Sequence, residues 1–208
     1  MRRFFWIALI VFSSLLGGLT LAQQRPAAPA APAAPAAPAA APGYSTNFSI
    51  QELMLSIVDP VGDSIFDSVS VSITAAGSKE TRPRTDAEWL AVRDKAVQLA
   101  EAGNLLKIPG RRVGPVTPIR GMKPETPGPD DLSPAQVEIL LKQNRAPFNA
   151  FAQKLTDAAM VALKAVDTRS VDGLYEAGDA IDQACENCHL NYWYPGPKSP
   201  VRNALKAK

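Results

Sequence analysis

The sequence predicts an all-α domain, an antiparallel up-down-up-down four-helix bundle with a long Pro-rich loop between helices two and three. Three observations carry this. Four long segments after residue 44 place apolar residues at helical spacing. Two of them open on capping boxes, Thr85 with Glu88 and Ser133 with Gln136. No alternating strand pattern competes with them.

Ahead of the domain stand two segments of different composition. Residues 1–22 join Arg2 and Arg3 to an apolar run and the small-residue ending Thr20-Leu21-Ala22, which reads as a secretory signal cleaved after Ala22. An uncleaved membrane anchor is the alternative, since a span needs about 20 apolar residues. Both readings export the rest of the chain, to a periplasmic location. Residues 23–43 repeat Ala and Pro, which favours extended polyproline geometry and a semi-rigid spacer. Such a spacer suits a tethered protein. The domain is then residues 44–208. Without Arg2 and Arg3, Lys+Arg falls from 22 to 20 and equals Asp+Glu at 20, so the charge balance points to no nucleic acid or other polyanion.

Within the domain, residues 47–71 set Ile50, Leu53, Met54, Ile57, Val58, Val61, Ile65 and Val69 on one helical face. Pro60 lies inside this run and should kink the helix or split it. The second helix follows Thr85, with Trp89, Val92, Ala96, Leu99 and Leu106 inward, and stops at Pro109-Gly110. Prolines 109, 115, 118, 124, 127 and 129 mark residues 109–132 as a long crossing loop. The third helix opens at Ser133-Pro134 and runs to about Val166, bent at Pro147, with Leu140, Leu141, Phe148, Phe151, Leu155 and Leu163 inward. The fourth runs from about Ser170 to Tyr192. Leu174, Ala177, Ile181, Ala184, Cys185 and Cys188 share its inner face.

That fourth helix ends in "CENCH". Cys185 and Cys188 are the only cysteines and His189 the only histidine. C-x-x-C-H is the signature of covalent c-type haem attachment. Cysteines three apart lie on nearly one helical face, so both thiols reach the two vinyl groups of one porphyrin. The next residue then offers its imidazole to the iron. A zinc site needs about four ligands, and there is no second pair. A thioredoxin-type pair belongs at a helix N-terminus, where the dipole lowers the thiol pKa, and this one sits at the C-terminal end. A disulfide here would staple one turn and stabilise little.

The late position of "CENCH", the order of the four helices, and "RTDAEWLAVRDKAVQLAEAGNLLKIPGR" as a second helix resemble the class II c-type cytochromes, the cytochrome c′ family. The resemblance covers about residues 47–197. It implies one covalent haem c, with Cys185 and Cys188 as thioethers and His189 as axial ligand. In the family's low-spin branch a methionine of the first helix fills the sixth iron position, and Met54 in "IQELMLSI" matches it. Met54 as plain core filling is the alternative; Met122 and Met160 are the other methionines of the domain. The resemblance implies a monohaem electron carrier, not an enzyme, working with redox partner proteins. A homodimer is a further implication, while a tether through the N-terminus follows from the spacer and the anchor alternative, which lie outside the resemblance. If the sixth position is open, the resemblance implies a protein that binds carbon monoxide or nitric oxide instead. Tyr192, Trp193 and Tyr194 would pack on the haem edge or close the end of the bundle. Asp182 or Glu186 would tune the iron, or be solvated charges, and Arg111 and Arg112 would face the haem propionates.

Overall fold

A computed structural model describes residues 43–114 and 128–206. The expected signal, nearly all of the Ala/Pro spacer, Met122 and most of the Pro-rich loop lie outside the described residues. Among the described residues the chain is mostly helical, with one small two-stranded sheet. Among the described residues no helix is long and apolar enough to cross a membrane.

The first segment is three pieces in one run: α1 (Ile50–Leu53), a π-helical turn (Met54–Val58) and α2 (Asp59–Phe66). Ser49 caps it, its hydroxyl accepting from Glu52 N–H while the Glu52 carboxylate accepts from Ser49 N–H at 2.8 Å. The π-turn sits just ahead of Pro60. Pro60 has no N–H to give, and the Asp59 N–H reaches back five residues to the Met54 carbonyl. The chain therefore meets the proline by widening one turn rather than by breaking.

This helix stops at Phe66, short of the expected end near Val71. Residues 70–81 form a hairpin instead, β1 (Ser70–Thr74) against β2 (Gly77–Thr81), antiparallel, with Ser70 opposite Thr81 and Thr74 opposite Gly77. The expectation of no strands is thus corrected. "SVSIT" does alternate, but every hairpin residue is exposed, so burial does not show which face matters. Gly77, at φ 122°, closes the turn in a conformation open to glycine.

α3 (Asp86–Lys107) has the expected Thr85–Glu88 capping box. The third segment is two helices, not one bent helix: α4 (Pro134–Gln143) and α5 (Ala146–Asp167). Asn144 and Arg145 separate them. Pro147 falls in the first turn of α5, where its missing N–H costs nothing, and the Asn144 side chain accepts from Ala146 N–H. Arg145 Nη2 donates to the Leu106 and Ile108 carbonyls at 2.9 and 3.1 Å, so the break also finishes α3. A short turn with Arg169 at φ 49° leads to α6 (Val171–Tyr192), capped by Ser170. The tail folds as α7 (Pro200–Lys206), and Val201 and Leu205 pack on the main core.

α3 and α5 run antiparallel. Gly103 lies against Ala152 and Thr156, while Trp89 and Val92 cluster with Ala165, Val166 and Leu174. Alanines 96, 102, 159 and 162 are buried along α3 and α5, and such small residues let the backbones approach closely. Thr156 Oγ1 donates across to the Ala100 carbonyl at 3.0 Å.

Candidate functional site

Cys185, Cys188 and His189 occupy the last two turns of α6. The end of that helix is held firmly. Trp193 and Tyr194 both donate their N–H to the His189 carbonyl, at 2.8 and 3.0 Å. The Trp193 ring stands edge-on to the imidazole, centroids 4.9 Å apart, and Tyr194 lies at 5.8 Å. Trp193 is tied in turn to residues 128–133. Its indole N–H donates to Asp131 Oδ2 at 3.2 Å, and its carbonyl accepts from Leu132 N–H at 2.7 Å. Tyr194 donates its hydroxyl to Glu186 at 2.6 Å.

The motif faces a cavity of about 620 Å³, within the ~300–1,000 Å³ typical of cofactor and ligand sites. Ile50, Met54, Val58 and Phe66 line it from the first helical run. Phe148, Phe151 and Leu155 line it from α5, Leu132 and Val137 from the start of α4 and its lead-in, and Ile181, Cys185, Cys188, His189 and Tyr192 from α6. Tyr192 stands edge-on to Phe148 and Phe151, at 5.2 and 6.1 Å. Met54 thus shares one cavity with the two cysteines and the histidine. Met160 does not; it is 53 % exposed on α5.

Both thiols are free. Burial, helped by the carboxylates of Asp182 and Asp59, pushes Cys185 up to about 11. Burial and the neighbouring Cys185 push Cys188 up to about 12. Both therefore stay protonated at neutral pH, unlike the thiolates of a zinc site or a redox dithiol. Burial lowers the pKa of His189 against the upward pull of Glu186 and Asp59, which favours the neutral ring and its free nitrogen lone pair. Among the described residues no group of three or more His, Cys, Asp or Glu side chains could hold a bare metal ion. The donor set fits a haem: two protonated thiols three apart, one neutral imidazole beside them, and a thioether on the same largely apolar cavity.

Arg111 and Arg112 do not line the cavity. Arg111 is buried, and its guanidinium donates to the Leu105 and Phe48 carbonyls at 3.1 and 2.6 Å. It closes the end of α3 onto the lead-in to α1 and is not placed to face a propionate. Asp182 does line the cavity, while Glu186 is engaged by Tyr194. The sequence reading missed Asp131, because one carboxylate in a proline-rich stretch carries no periodic signal. Comparison of the chain with protein-family models, curated proteins and solved structures finds no match.

Proposed function

We propose that the chain is an exported monohaem c-type cytochrome of class II and acts in electron transfer. In this reading the α1–α2 run, α3, α5 and α6 are the four helices of an up-down-up-down bundle, with α4 and α7 as additions. The observation that carries it is the meeting of Cys185, Cys188, His189 and Met54 on one cavity. A bound haem supplies one-electron exchange between ferric and ferrous iron. The protein's own residues do the rest. Cys185 and Cys188 would hold the haem as thioethers and so fix it relative to α6. His189 would supply a nitrogen ligand to the iron, and the hydrogen bonds from Trp193 and Tyr194 to its carbonyl fix the backbone that carries the ring. Met54, on the same cavity, would supply a sulfur ligand, which raises the potential. Phe148, Phe151 and Tyr192 would exclude water from the cavity that held the haem. Residues 1–22 send the chain to the periplasm, and residues 23–43 space the domain from a membrane if that segment stays uncleaved.

The test is an optical spectrum of the haem-loaded protein, oxidised and reduced, with and without carbon monoxide. A low-spin reduced spectrum, indifferent to carbon monoxide and lost in Met54→Ala, is expected. A high-spin spectrum that shifts on carbon monoxide would remove Met54 from the iron and favour the gas-binding alternative. Haem that washes out in acidic acetone, or fails to attach at all, would sink the cytochrome reading.

A further inference from the structure

The helices that carry Met54, Cys185, Cys188 and His189 are one-sided in charge. Residues 44–78, which contain the whole α1–α2 run, hold four carboxylates and no lysine or arginine. α6 holds five carboxylates, again with no lysine or arginine. The whole chain is nearly neutral, at +2, so the imbalance is one of placement. α3 and α5, by contrast, carry both signs, with Arg93, Lys95, Lys107, Lys154 and Lys164 among their acids.

Part of this negative surface frames the cavity. Asp59, Asp63 and Asp182 are exposed and line it. None of the three forms an ion pair among the described residues, and no described lysine or arginine lines the cavity. Three large apolar side chains on the same lining are also open to solvent: Leu55 at 40 %, Phe66 at 36 % and Trp193 at 37 %. Single exposed apolar residues are ordinary. Three on the lining of one cavity, among carboxylates with no ion pair to a described residue, match the plan of a contact surface that mixes apolar and charged groups.

We propose that this rim is the docking surface for a redox protein whose contact face is apolar at its centre and ringed by lysine or arginine. The inference rests on the cytochrome reading for what crosses the contact. One electron passes between the partner's redox centre and the haem iron, one oxidised as the other is reduced, with no bond made or broken. Charge selects the class of partner. Carboxylates without counter-charges repel nucleic acid and anionic lipid and draw in a cationic face, which speeds encounter at low salt. The attraction fades as the screening length falls from about 10 Å at 0.1 M salt to about 3 Å at 1 M. Electron-transfer encounters bury little surface, below about 1,200 Å², so a few rim charges decide much of the specificity.

The experiment titrates the full-length protein, produced with haem-attachment machinery, against a mitochondrial-type cytochrome c, a small basic redox protein with lysines around its haem edge. Plant-type ferredoxin, an acidic redox protein, serves as the opposite probe. Binding is read by calorimetry at about 10 mM and about 200 mM salt. The triple variant Asp59→Asn, Asp63→Asn, Asp182→Asn should weaken binding of the basic probe by roughly ten-fold or more at low salt. A control with the same charge removed from α3 and α5 (Asp94→Asn, Glu101→Gln, Asp157→Asn) should change it less than about two-fold. Ferredoxin should not bind. Equal losses in both variants, equal binding of ferredoxin, or no salt-dependent binding of the basic probe would each overturn the docking surface. Rim-dependent binding by a protein that carries no haem would keep the surface and sink the cytochrome reading. A haem-loaded protein indifferent to the rim charges would do the reverse.

Discussion

Where α3 meets α5, the helices close on each other through small side chains. Ala96, Ala159 and Ala162 have no exposed surface, and a methyl group at Gly103 would stand 2.8 Å from the Ala152 carbonyl oxygen. Where the α1–α2 run faces α6, the facing side chains are larger: Met54, Val58 and Phe66 on one side, Ile181 and His189 on the other, around a cavity of about 620 Å³. The contact between the first pair is a wall set by residues too small to bind anything, although the first half of α5 also gives Phe148, Phe151 and Leu155 to the cavity. The second pair is a room whose walls carry every soft ligand of the described chain except Met160. The division suggests separate jobs, with stability drawn from one region and binding chemistry placed in the other. Substitutions can test whether the two are as independent as this implies.

The largest effect is expected on the tight side. Leu174 is fully buried among Trp89, Val92, Ala165 and Val166, away from the cavity. Leu174→Ala should cost about 2–5 kcal/mol by lost transfer and incomplete collapse. Thermal melting should show it, while the visible spectrum of the haem-loaded protein stays unchanged. A shifted spectrum would mean that the wall also shapes the room.

Gly103→Ala comes next, at roughly 1–3 kcal/mol, because the carbonyl it would meet belongs to a helix backbone and cannot rotate aside. The added methyl would also crowd Thr156 Oγ1, which bonds the Ala100 carbonyl. A melting temperature equal to that of the parent would show that α3 and α5 can separate without loss, and would remove the distinction drawn between the two pairs.

The two regions also differed in how far the sequence exposed them. Helical stripes and capping boxes at Thr85 and Ser133 were legible because burial and caps leave periodic, local marks. The placement of Cys185, Cys188 and His189 near the end of α6, and of Met54 in the first helical run, was legible because each falls within a periodic helical segment. The hairpin at residues 70–81 was not, since its exposed residues are held to no inner face. Nor was the break at Asn144, where a proline that bends a helix and one that begins a helix look alike in sequence. The charges misled most. Arg111 carries a charge that sequence alone would offer to an anionic group, and instead closes the end of α3 with its carbonyl bonds. Arg145, which does the same work from the start of α5, gave no signal, because a bond to a distant carbonyl depends on the fold rather than on neighbours in the chain.

The smallest effect should come from Trp193→Phe, and it bears on where the room ends. Phenylalanine keeps an aromatic ring beside His189 and the backbone bonds to His189 and Leu132. It removes only the indole donor to Asp131, whose carboxylate still accepts from Gly128 N–H at 2.9 Å. A hydrogen bond to a charged carboxylate is worth about 1.5–3 kcal/mol where water is shut out, and with Trp193 37 % exposed the effect falls below about 1 kcal/mol. The melting temperature should fall slightly and the haem spectrum should not move, because the His189 backbone is fixed by the N–H groups of residues 193 and 194 whichever ring is present. If instead the melting temperature holds and the spectrum or potential shifts, the bond to Asp131 is orienting the imidazole through the ring. Residues 128–133 would then belong to the site rather than to the scaffold around it, and the boundary between wall and room would have to be redrawn to include a loop.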